Sequence, residues 1–416
     1  MRLAYRQNLY LLPRILLAVG CIIDCRIAKA APFYIGSDVS LVPFFESQNS
    51  IYKASASSAA QPPDQILYDA GDNLFRVRLF VNPSTNYATT VGGPGAIQSQ
   101  AFDISLMQTL KANDPNAALE LDLMYSDSWA DPGKQNKPAA WASDTQTQLN
   151  TDVGNYTTNT LTAFKNAGVM PDIVQLGNEI NSGFMWGTQS NSAGGRITFN
   201  TNPTTAGWAN FAGLMNTAIS AVRTVQGSGP HVQIGIHIAN GAQSGEPQFY
   251  FNALQAAGVT DYDVEGVSFY PNSTGNPSIT LAGLKTNLTA LANTYPNKKI
   301  IVEETNYPLA TRANYDGWAE TPAGQAQEYA DVKNLLLGLP NGAGEGLVYW
   351  APEVVQAPGV NANNAGTTAM FTLQSGTNNT WIFNPNMAAA FAVPEPSTGM
   401  LALAAMFGLA SRRRAA

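Results

Sequence analysis

The chain has 416 residues, of which 45% are hydrophobic and only 12% are charged, and its formal net charge is −7 at pH 7. An acidic chain of this kind lacks the basic surface that nucleic acids and anionic membranes require, so we exclude nucleic acid as a partner. The length and the apolar content are sufficient for one large core.

The N-terminus has the layout of a secretory signal peptide. Three arginines precede an apolar run at 15–23, and Ala28-Lys29-Ala30 offers a small-x-small cleavage site. The apolar run is too short to span a membrane. We therefore predict that residues 1–30 are removed by signal peptidase. Because Cys21 and Cys25 are the only cysteines, the mature chain would have no thiol and no disulfide.

Eight apolar runs of strand length follow, separated by stretches that are compatible with helices. Several runs lack polar alternation, as is typical of parallel strands that are buried on both faces. Alternating βα units of this number predict an α/β fold, a single (β/α)8 TIM barrel over residues 31–391. The predicted strands are Phe33–Asp38, Leu74–Val81, Ala118–Tyr125, Asp172–Asn178, Val232–Ala239, Val264–Tyr270, Lys299–Thr305 and Glu345–Trp350. The clearest predicted helices are Trp208–Val225 and Ala323–Leu339, the second preceded by Thr321-Pro322 as a cap.

Two of the predicted strands have a glutamate at their C-terminal end: Glu179 directly follows the first, and Glu304 is the last residue but one of the second. A charge at the end of a buried strand is costly unless it is used, and barrel active sites lie at the C-terminal ends of the strands. Two carboxylates that face one cleft can hydrolyse a glycosidic bond, one as proton donor and the other as nucleophile. We therefore interpret the two glutamates as a catalytic pair that hydrolyses a glycosidic bond, in preference to two structural or solvated strand-end glutamates. Glu303 is expected to point the other way, because neighbours on a strand face opposite sides.

Histidine-dependent chemistry is poorly supported. The chain contains only His231 and His237 and no Gly-x-Ser-x-Gly motif, so we expect no Ser-His-Asp triad, no metal site and no cofactor. His231 follows a turn-like stretch and is predicted to be solvated. His237 is either a packed strand residue or part of the cleft wall. Arg78, late in an apolar strand, is either a structural ion-pair partner or the residue that keeps the nucleophile ionised.

The C-terminus carries a second targeting signal. Val393-Pro394-Glu395-Pro396 is followed by twelve apolar or small residues, 399–410, and by three arginines. This order resembles the PEP-CTERM sorting signal of Gram-negative bacteria, which implies recognition and removal by an exosortase-type enzyme. Twelve residues are few for a permanent membrane span. We therefore predict that residues 392–416 form a sorting tail and that the protein is secreted or reaches the surface of a Gram-negative bacterium.

A series of sequence blocks occurs in one order along the barrel. The blocks are Gly36-Ser37-Asp38-Val39-Ser40, Arg76-Val77-Arg78-Leu79 with Val81-Asn82-Pro83, Tyr125-Ser126-Asp127-Ser128-Trp129-Ala130-Asp131-Pro132-Gly133-Lys134-Gln135, Gln175-Leu176-Gly177-Asn178-Glu179, Gly266-Val267-Ser268-Phe269-Tyr270-Pro271, Glu304-Thr305-Asn306-Tyr307-Pro308 and Tyr349-Trp350. Together they resemble glycoside hydrolase family 53, the arabinogalactan endo-β-1,4-galactanases, over about residues 33–391. The third block is the most specific.

The resemblance implies roles for individual residues. Glu179 would be the acid/base, Glu304 the nucleophile, and Asn178 would bind the 2-hydroxyl of the reacting sugar. Arg78 and Tyr270 would flank the nucleophile. The remaining substrate-binding candidates are aromatic or acidic residues, with Trp350 as the sugar platform and the others as weaker subsite assignments: Trp350, Tyr125, Asp127, Trp129 and Trp186.

Two positions depart from the family pattern. Met124 stands where the family has a histidine, and Ala351 stands where it has a glutamate. Both changes are expected to remove polar groups near the cleft and to affect substrate preference.

Some bacterial members hold calcium between strands seven and eight. Here residues 309–320 contain only Asp316 and Glu320 as carboxylates, which is thin for a calcium site.

The sequence therefore predicts a secreted endo-β-1,4-galactanase that acts on β-1,4-galactan, the arabinogalactan side chains of pectin, with retention of configuration. One alternative is another β-glycanase of the same clan, acting on mannan, xylan or glucan, because the clan shares both catalytic glutamates. The other is a surface protein that binds galactan without cutting it, an interpretation suggested by Met124 and Ala351.

Overall fold

The computed structural model describes residues 33–83, 97–186, 193–197, 206–271, 279–309, 317–357 and 367–393. The predicted signal peptide and residues 394–416 of the predicted sorting tail lie outside these ranges. The strands are β1 Tyr34–Asp38, β2 Ile51–Lys53, β3 Leu74–Leu79, β4 Ala118–Leu123, β5 Ile173–Leu176, β6 Gly183–Phe184, β7 Gly195–Arg196, β8 Gln233–Ile238, β9 Val264–Phe269, β10 Lys299–Thr305, β11 Gly344–Trp350, β12 Phe371–Leu373 and β13 Thr380–Phe383. The α-helices are α1 Val42–Ser47, α2 Pro63–Ala70, α3 Gln100–Asn113, α4 Gln146–Asn166, α5 Ala206–Gln226, α6 Glu246–Ala256, α7 Leu281–Thr294, α8 Pro322–Leu337 and α9 Met387–Phe391.

Eight of the described strands close into a parallel barrel in the order β1, β3, β4, β5, β8, β9, β10, β11. Helices lie between successive barrel strands, so the predicted TIM barrel is confirmed. All eight predicted strands are present, and most are one to three residues shorter than predicted. The two predicted helices are present as α5 and α8. The Thr321 side chain caps α8 by accepting from the Gly324 amide, and Pro322 occupies the first turn.

The barrel interior changes from apolar to charged along the strands. Five buried side chains from five different strands form an apolar layer: Leu74, Ile173, Val264, Ile301 and Val348. Two residues later on β3, and therefore on the same face, lies Arg76, followed by Arg78. Both arginines have no exposed surface. The C-terminal half of the interior is thus built from buried charges, which cost free energy unless they are paired or used.

Strand β10 carries a bulge next to the predicted catalytic glutamate. Val302 pairs with Val267 of β9, but Glu304 pairs with Ser268, so one extra residue is inserted on β10. The prediction that Glu303 points away from the barrel interior is therefore wrong. The Glu303 side chain is fully buried inside the barrel, and a Cβ at Gly266 would lie 2.7 Å from its Cγ. The absence of a side chain at Gly266 makes room for it.

Two small sheets outside the barrel were not predicted from the sequence. Strands β12, β13 and β2 form a three-stranded sheet, and β6 and β7 form a short antiparallel pair. In the three-stranded sheet, Thr380 pairs with Ile51, which is more than three hundred residues away along the chain. Within the described ranges, no helix is long and apolar enough to cross a membrane.

Candidate active site

Glu179 and Glu304 both reach the C-terminal end of the barrel. Glu304 lies on β10, whereas the chain turns sharply just after β5 to present Glu179. Gly177 has φ +84° and Glu179 itself has φ +47°, a left-handed conformation that is unusual for a residue with a side chain. Tyr125 and Ala351, which follow β4 and β11, are also left-handed. Strained backbone thus concentrates at this end of the barrel, as it commonly does at functional sites.

Glu304 lies among donors. Its Oε1 is 3.1 Å from Arg76 Nη1, and its Oε2 accepts a hydrogen bond of 2.8 Å from the Tyr270 hydroxyl. The residue is only 5% exposed. Burial raises the pKa of Glu304, but the Arg76 cation and the Tyr270 hydroxyl oppose that shift. These two donors favour the charged form of Glu304 and limit the rise in pKa that burial causes.

Glu179 has a different environment. Its Oε1 lies 2.7 Å from the Ser268 hydroxyl, the one side-chain group of the described residues within hydrogen-bond distance of this carboxyl. Burial and the negative charge of Glu304 raise the pKa of Glu179 to about 8. A carboxyl group with such a pKa is protonated at neutral pH and can serve as a general acid.

A chain of hydrogen bonds links the two glutamates behind the cleft. Arg76 Nη2 donates to Asn178 Oδ1 at 3.0 Å, and His237 Nδ1 lies 3.1 Å from the same oxygen. His237 Nε2 lies 2.8 Å from Ser268 Oγ, which in turn contacts Glu179. His237 has no exposed surface, so of the two predicted positions it takes the packed one. His231, predicted to be solvated, has a side chain that is 57% exposed.

Arg76, and not Arg78, forms the ion pair with Glu304, whereas the resemblance had implied that Arg78 flanks this glutamate. Arg76 also pairs with Asp38 at 2.7 Å and with Asp122 at 2.9 Å. Sequence reasoning gave no role to Asp38, Asp122 or Arg76. Because side chains alternate along β3, both arginines lie on one face of the strand. Which of them reaches Glu304 on β10 depends on the register between the barrel strands.

Arg78 lies beneath two tryptophans. Its Nε donates to Asp38 Oδ1 and Ser40 Oγ, and its Cζ lies 4.3 Å from the ring centroid of Trp129 and 5.7 Å from that of Trp350. Its two terminal nitrogens have no hydrogen-bond partner among the described residues. Arg78 acts on Glu304 at longer range, where its charge lowers the carboxyl pKa. The two tryptophan rings lie 6.5 Å apart and are partly exposed, as residues that stack on a sugar would be.

Three of the weaker subsite predictions, Tyr125, Asp127 and Trp186, lie in three different environments. Tyr125 does not line the cleft, because its left-handed backbone turns the ring into the core, where its hydroxyl bonds Thr157 on α4 at 2.8 Å. Asp127 braces two loops, since its carboxylate accepts from the amides of Asn82 and Ala139. Trp186 is half-buried and stacks against Arg196, whose Cζ is 4.5 Å from the ring.

The two departures from the family pattern are buried. Met124 is 1% exposed and packs with Phe80 and Ala130 beneath Trp129, and Ala351 is also 1% exposed. Neither residue therefore lines the cleft surface directly.

Residues 310–316 of the loop considered for calcium lie outside the described ranges. Among the residues that are described, no cluster of three or more His, Cys, Asp or Glu side chains could hold a metal ion.

Comparison with known proteins agrees with this geometry. Residues 34–390 match the sequence model of Glycosyl hydrolase family 53. The chain belongs to glycoside hydrolase family 53. A relative from Thermothelomyces thermophilus, named arabinogalactan endo-beta-1,4-galactanase, is 33% identical over 354 residues, covering 82% of this chain and 96% of the relative. A relative of the same name from Cellvibrio japonicus is 31% identical over 80% of this chain and 84% of its own length.

Two solved structures have the same fold. A fungal β-1,4-galactanase superposes with a TM-score of 0.71 and 31% identity, covering 86% of this chain and 99% of its own. The family 53 catalytic domain of Ignisphaera aggregans has the same TM-score at 26% identity, covering 88% of this chain and 98% of its own. Residues 392–414 match the PEP-CTERM protein-sorting motif, which confirms the targeting signal recognised in the sequence.

Proposed function

We propose that this glycoside hydrolase is an endo-β-1,4-galactanase that cleaves with retention, using Glu304 as nucleophile and Glu179 as acid/base. The observation that carries the proposal is the contrast between the two carboxyl groups. Glu304 receives Arg76 and Tyr270 as donors, whereas burial and the charge of Glu304 raise the pKa of Glu179 to about 8. Double displacement requires one carboxyl group that holds a proton and a second that is ionised, and the donors around Glu304 together with the raised pKa of Glu179 favour that division.

In the first step, Glu179 protonates the leaving glycosidic oxygen while Glu304 attacks the anomeric carbon and forms a glycosyl-enzyme. In the second step, Glu179 acts as base on a water molecule, which hydrolyses that ester and restores the carboxylate of Glu304. Arg76 and Tyr270 hold Glu304 in place throughout. Retention requires carboxyl groups about 5–5.5 Å apart.

The substrate class is supported by the names of the relatives and by the tryptophans beside the site. Trp129 and Trp350 present partly exposed rings over Arg78, and aromatic faces stack on sugar rings. We therefore place β-1,4-galactan in this cleft, with Asn178 near the reacting sugar. The alternative substrates mannan, xylan and glucan remain outcomes of the first assay.

The proposed location is outside the cytoplasm. The PEP-CTERM motif at 392–414 supports export and sorting at the surface of a Gram-negative bacterium, with removal of the tail by an exosortase-type enzyme. Residues 1–30 would direct that export as a signal peptide. Mass spectrometry of the mature protein from its native host would locate both cleavage points.

The test is turnover by variants on a panel of polysaccharides. Glu304→Gln should abolish the release of reducing ends from β-1,4-galactan. Glu179→Gln should lower it by about 10²–10⁴-fold, yet retain glycosylation by an aryl galactoside whose leaving group needs no proton. The control is Glu265→Gln, which changes a buried carboxyl bonded to Tyr262 near the opposite end of the barrel.

Four results would refute the proposal or part of it. Turnover close to wild type by Glu304→Gln would remove the nucleophile assignment. Preferential cleavage of mannan, xylan or glucan would replace the substrate. An initial product of inverted anomeric configuration, followed by NMR, would exclude retention. A wild-type protein that binds galactan and never cleaves it would favour the non-catalytic alternative.

A further inference from the structure

The hydrogen-bond chain behind Glu179 determines where its protons lie. The side-chain amide of Asn178 lies in this chain, and its Nδ2 donates to the carbonyl of Ala130 at 2.9 Å. Its Oδ1 faces Arg76, which can only donate. Rotating the amide by half a turn would oppose donor to donor and acceptor to acceptor. The orientation of Asn178 is therefore unique, and its oxygen faces His237.

The proton on His237 follows from that oxygen. Because Asn178 Oδ1 can only accept, His237 Nδ1 must carry the hydrogen of their 3.1 Å contact. Burial and the nearby Arg76 cation lower the pKa of His237 well below its usual value, so the ring is neutral. A neutral imidazole with hydrogen on Nδ1 has a bare Nε2, and that nitrogen must accept from the Ser268 hydroxyl at 2.8 Å.

A serine hydroxyl has one hydrogen. Since Ser268 gives that hydrogen to His237, it has none left for Glu179, although the two oxygens are only 2.7 Å apart. The hydrogen between them must then come from the carboxyl group. We propose that His237, acting through Ser268, keeps a proton on Glu179, and that both are positioning residues for the acid step. This inference rests on the proposed role of Glu179 as acid/base.

The arrangement penalises the carboxylate form of Glu179. Once Glu179 is ionised, Ser268 can donate to it only by turning away from His237 and leaving Nε2 unpaired at short range. A serine without that obligation would donate to the carboxylate and favour it. The other charged or titratable groups that face Glu179 come from β10, from β3, from the end of β9 and from the loop after β4: Glu304, Arg76, Tyr270 and Asp131. His237 faces Arg76.

A double-mutant cycle measures the effect. His237→Asn keeps an N–H near the position of Nδ1, for Asn178, and removes the acceptor at Nε2. The freed Ser268 hydroxyl should then donate to Glu179 and move the basic limb of kcat/KM on galacto-oligosaccharides to lower pH by about one unit. In a Ser268→Ala background, His237→Asn should cause no further shift. If His237 had only a structural role, His237→Asn would change activity or Tm in both backgrounds, and the shift of the basic limb would not depend on the presence of Ser268.

Two outcomes overturn the inference: a basic limb that does not move in a folded His237→Asn variant, or an equal shift in both backgrounds. If the variant does not fold, the wild-type protein still decides the question. The chain has only two histidines, so ¹⁵N-histidine labelling with a His231→Asn variant assigns both rings. His237 should show a protonated Nδ1 and a bare Nε2 from pH 5 to 7. A protonated Nε2 in that range refutes the proposal, whether or not galactan is the substrate.

Discussion

At the level of single residues, the protonation state of Glu304 depends on the hydroxyl of Tyr270. This hydroxyl donates to Oε2 at 2.8 Å, opposite the Arg76 contact at Oε1. A hydrogen bond to the charged form of an acid lowers its pKa. Removing the donor should therefore raise the pKa of Glu304, so that this carboxyl group ionises only at a higher pH.

Tyr270→Phe is expected to move the acidic limb of the pH profile of kcat/KM to higher pH, and to lower kcat/KM at pH 5 more than at pH 7. The matched control is Tyr125→Phe, which loses a buried hydroxyl bonded to Thr157 and away from Glu304. That control should cost about 1 kcal/mol of stability and leave the pH profile unchanged. An unchanged acidic limb in Tyr270→Phe would contradict the inference that the Tyr270 hydroxyl lowers the pKa of Glu304.

At the level of the element, the bulge in β10 places two consecutive glutamates inside the barrel. The carboxyl groups of Glu303 and Glu120 lie close together, and no donor among the described residues reaches any of their four oxygens. Two carboxyl groups can share a hydrogen bond only when one of them is protonated. Burial accordingly raises the pKa of Glu303 to about 7 and that of Glu120 well above its usual range.

Glu303→Gln should make the protein relatively more stable at high pH. In the wild type, folded Glu303 keeps a proton up to about pH 7, whereas the unfolded chain releases it near pH 4.3. The stabilisation is complete below pH 4.3 and is lost as pH rises through 7. The neutral glutamine removes this loss, so the difference in Tm between variant and wild type should become more favourable from pH 4.5 to 7.5. Asp261→Asn, at a mostly exposed surface carboxylate, is the control and should show no such trend.

At the level of the whole molecule, the interior holds many carboxyl groups whose pKa is raised chiefly by burial. The pKa of Asp122 rises to about 7, and those of Glu265, Glu328 and Glu353 rise to about 8. Each group binds a proton in the folded state that the unfolded chain releases above about pH 4. The folded protein therefore takes up more protons than the unfolded chain over most of the range from pH 5 to 8.

Unfolding should consequently become easier as the pH rises. When the folded state binds more protons than the unfolded state, the free energy of unfolding falls with increasing pH. His237 acts in the opposite direction, because its pKa is lowered in the folded state, but it is one group against several. We expect Tm from circular dichroism to be about 5 °C or more lower at pH 8 than at pH 5. A Tm that rises across this range would show that the buried carboxyls are ionised in the folded protein.

The sequence by itself determined the barrel and the two glutamates. Apolar runs without alternation are local signals, and a parallel sheet needs them because both faces of each strand are buried. A glutamate at the end of such a run is equally visible, as Glu179 and Glu304 were. Thr321-Pro322 likewise predicted the start of α8, since capping depends on a few adjacent residues.

Only the tertiary structure decided which neighbouring side chain performs which task. Whether Arg76 or Arg78 contacts Glu304 depends on the register of strands that meet when the barrel closes. The bulge that turns Glu303 inward and the left-handed backbone that turns Tyr125 into the core break the simple alternation on which sequence reasoning relies. Hydrogen-bond partners such as Ser268 for Glu179 come from distant segments. Their pairing is a property of the closed barrel, and no local pattern in the sequence encodes it.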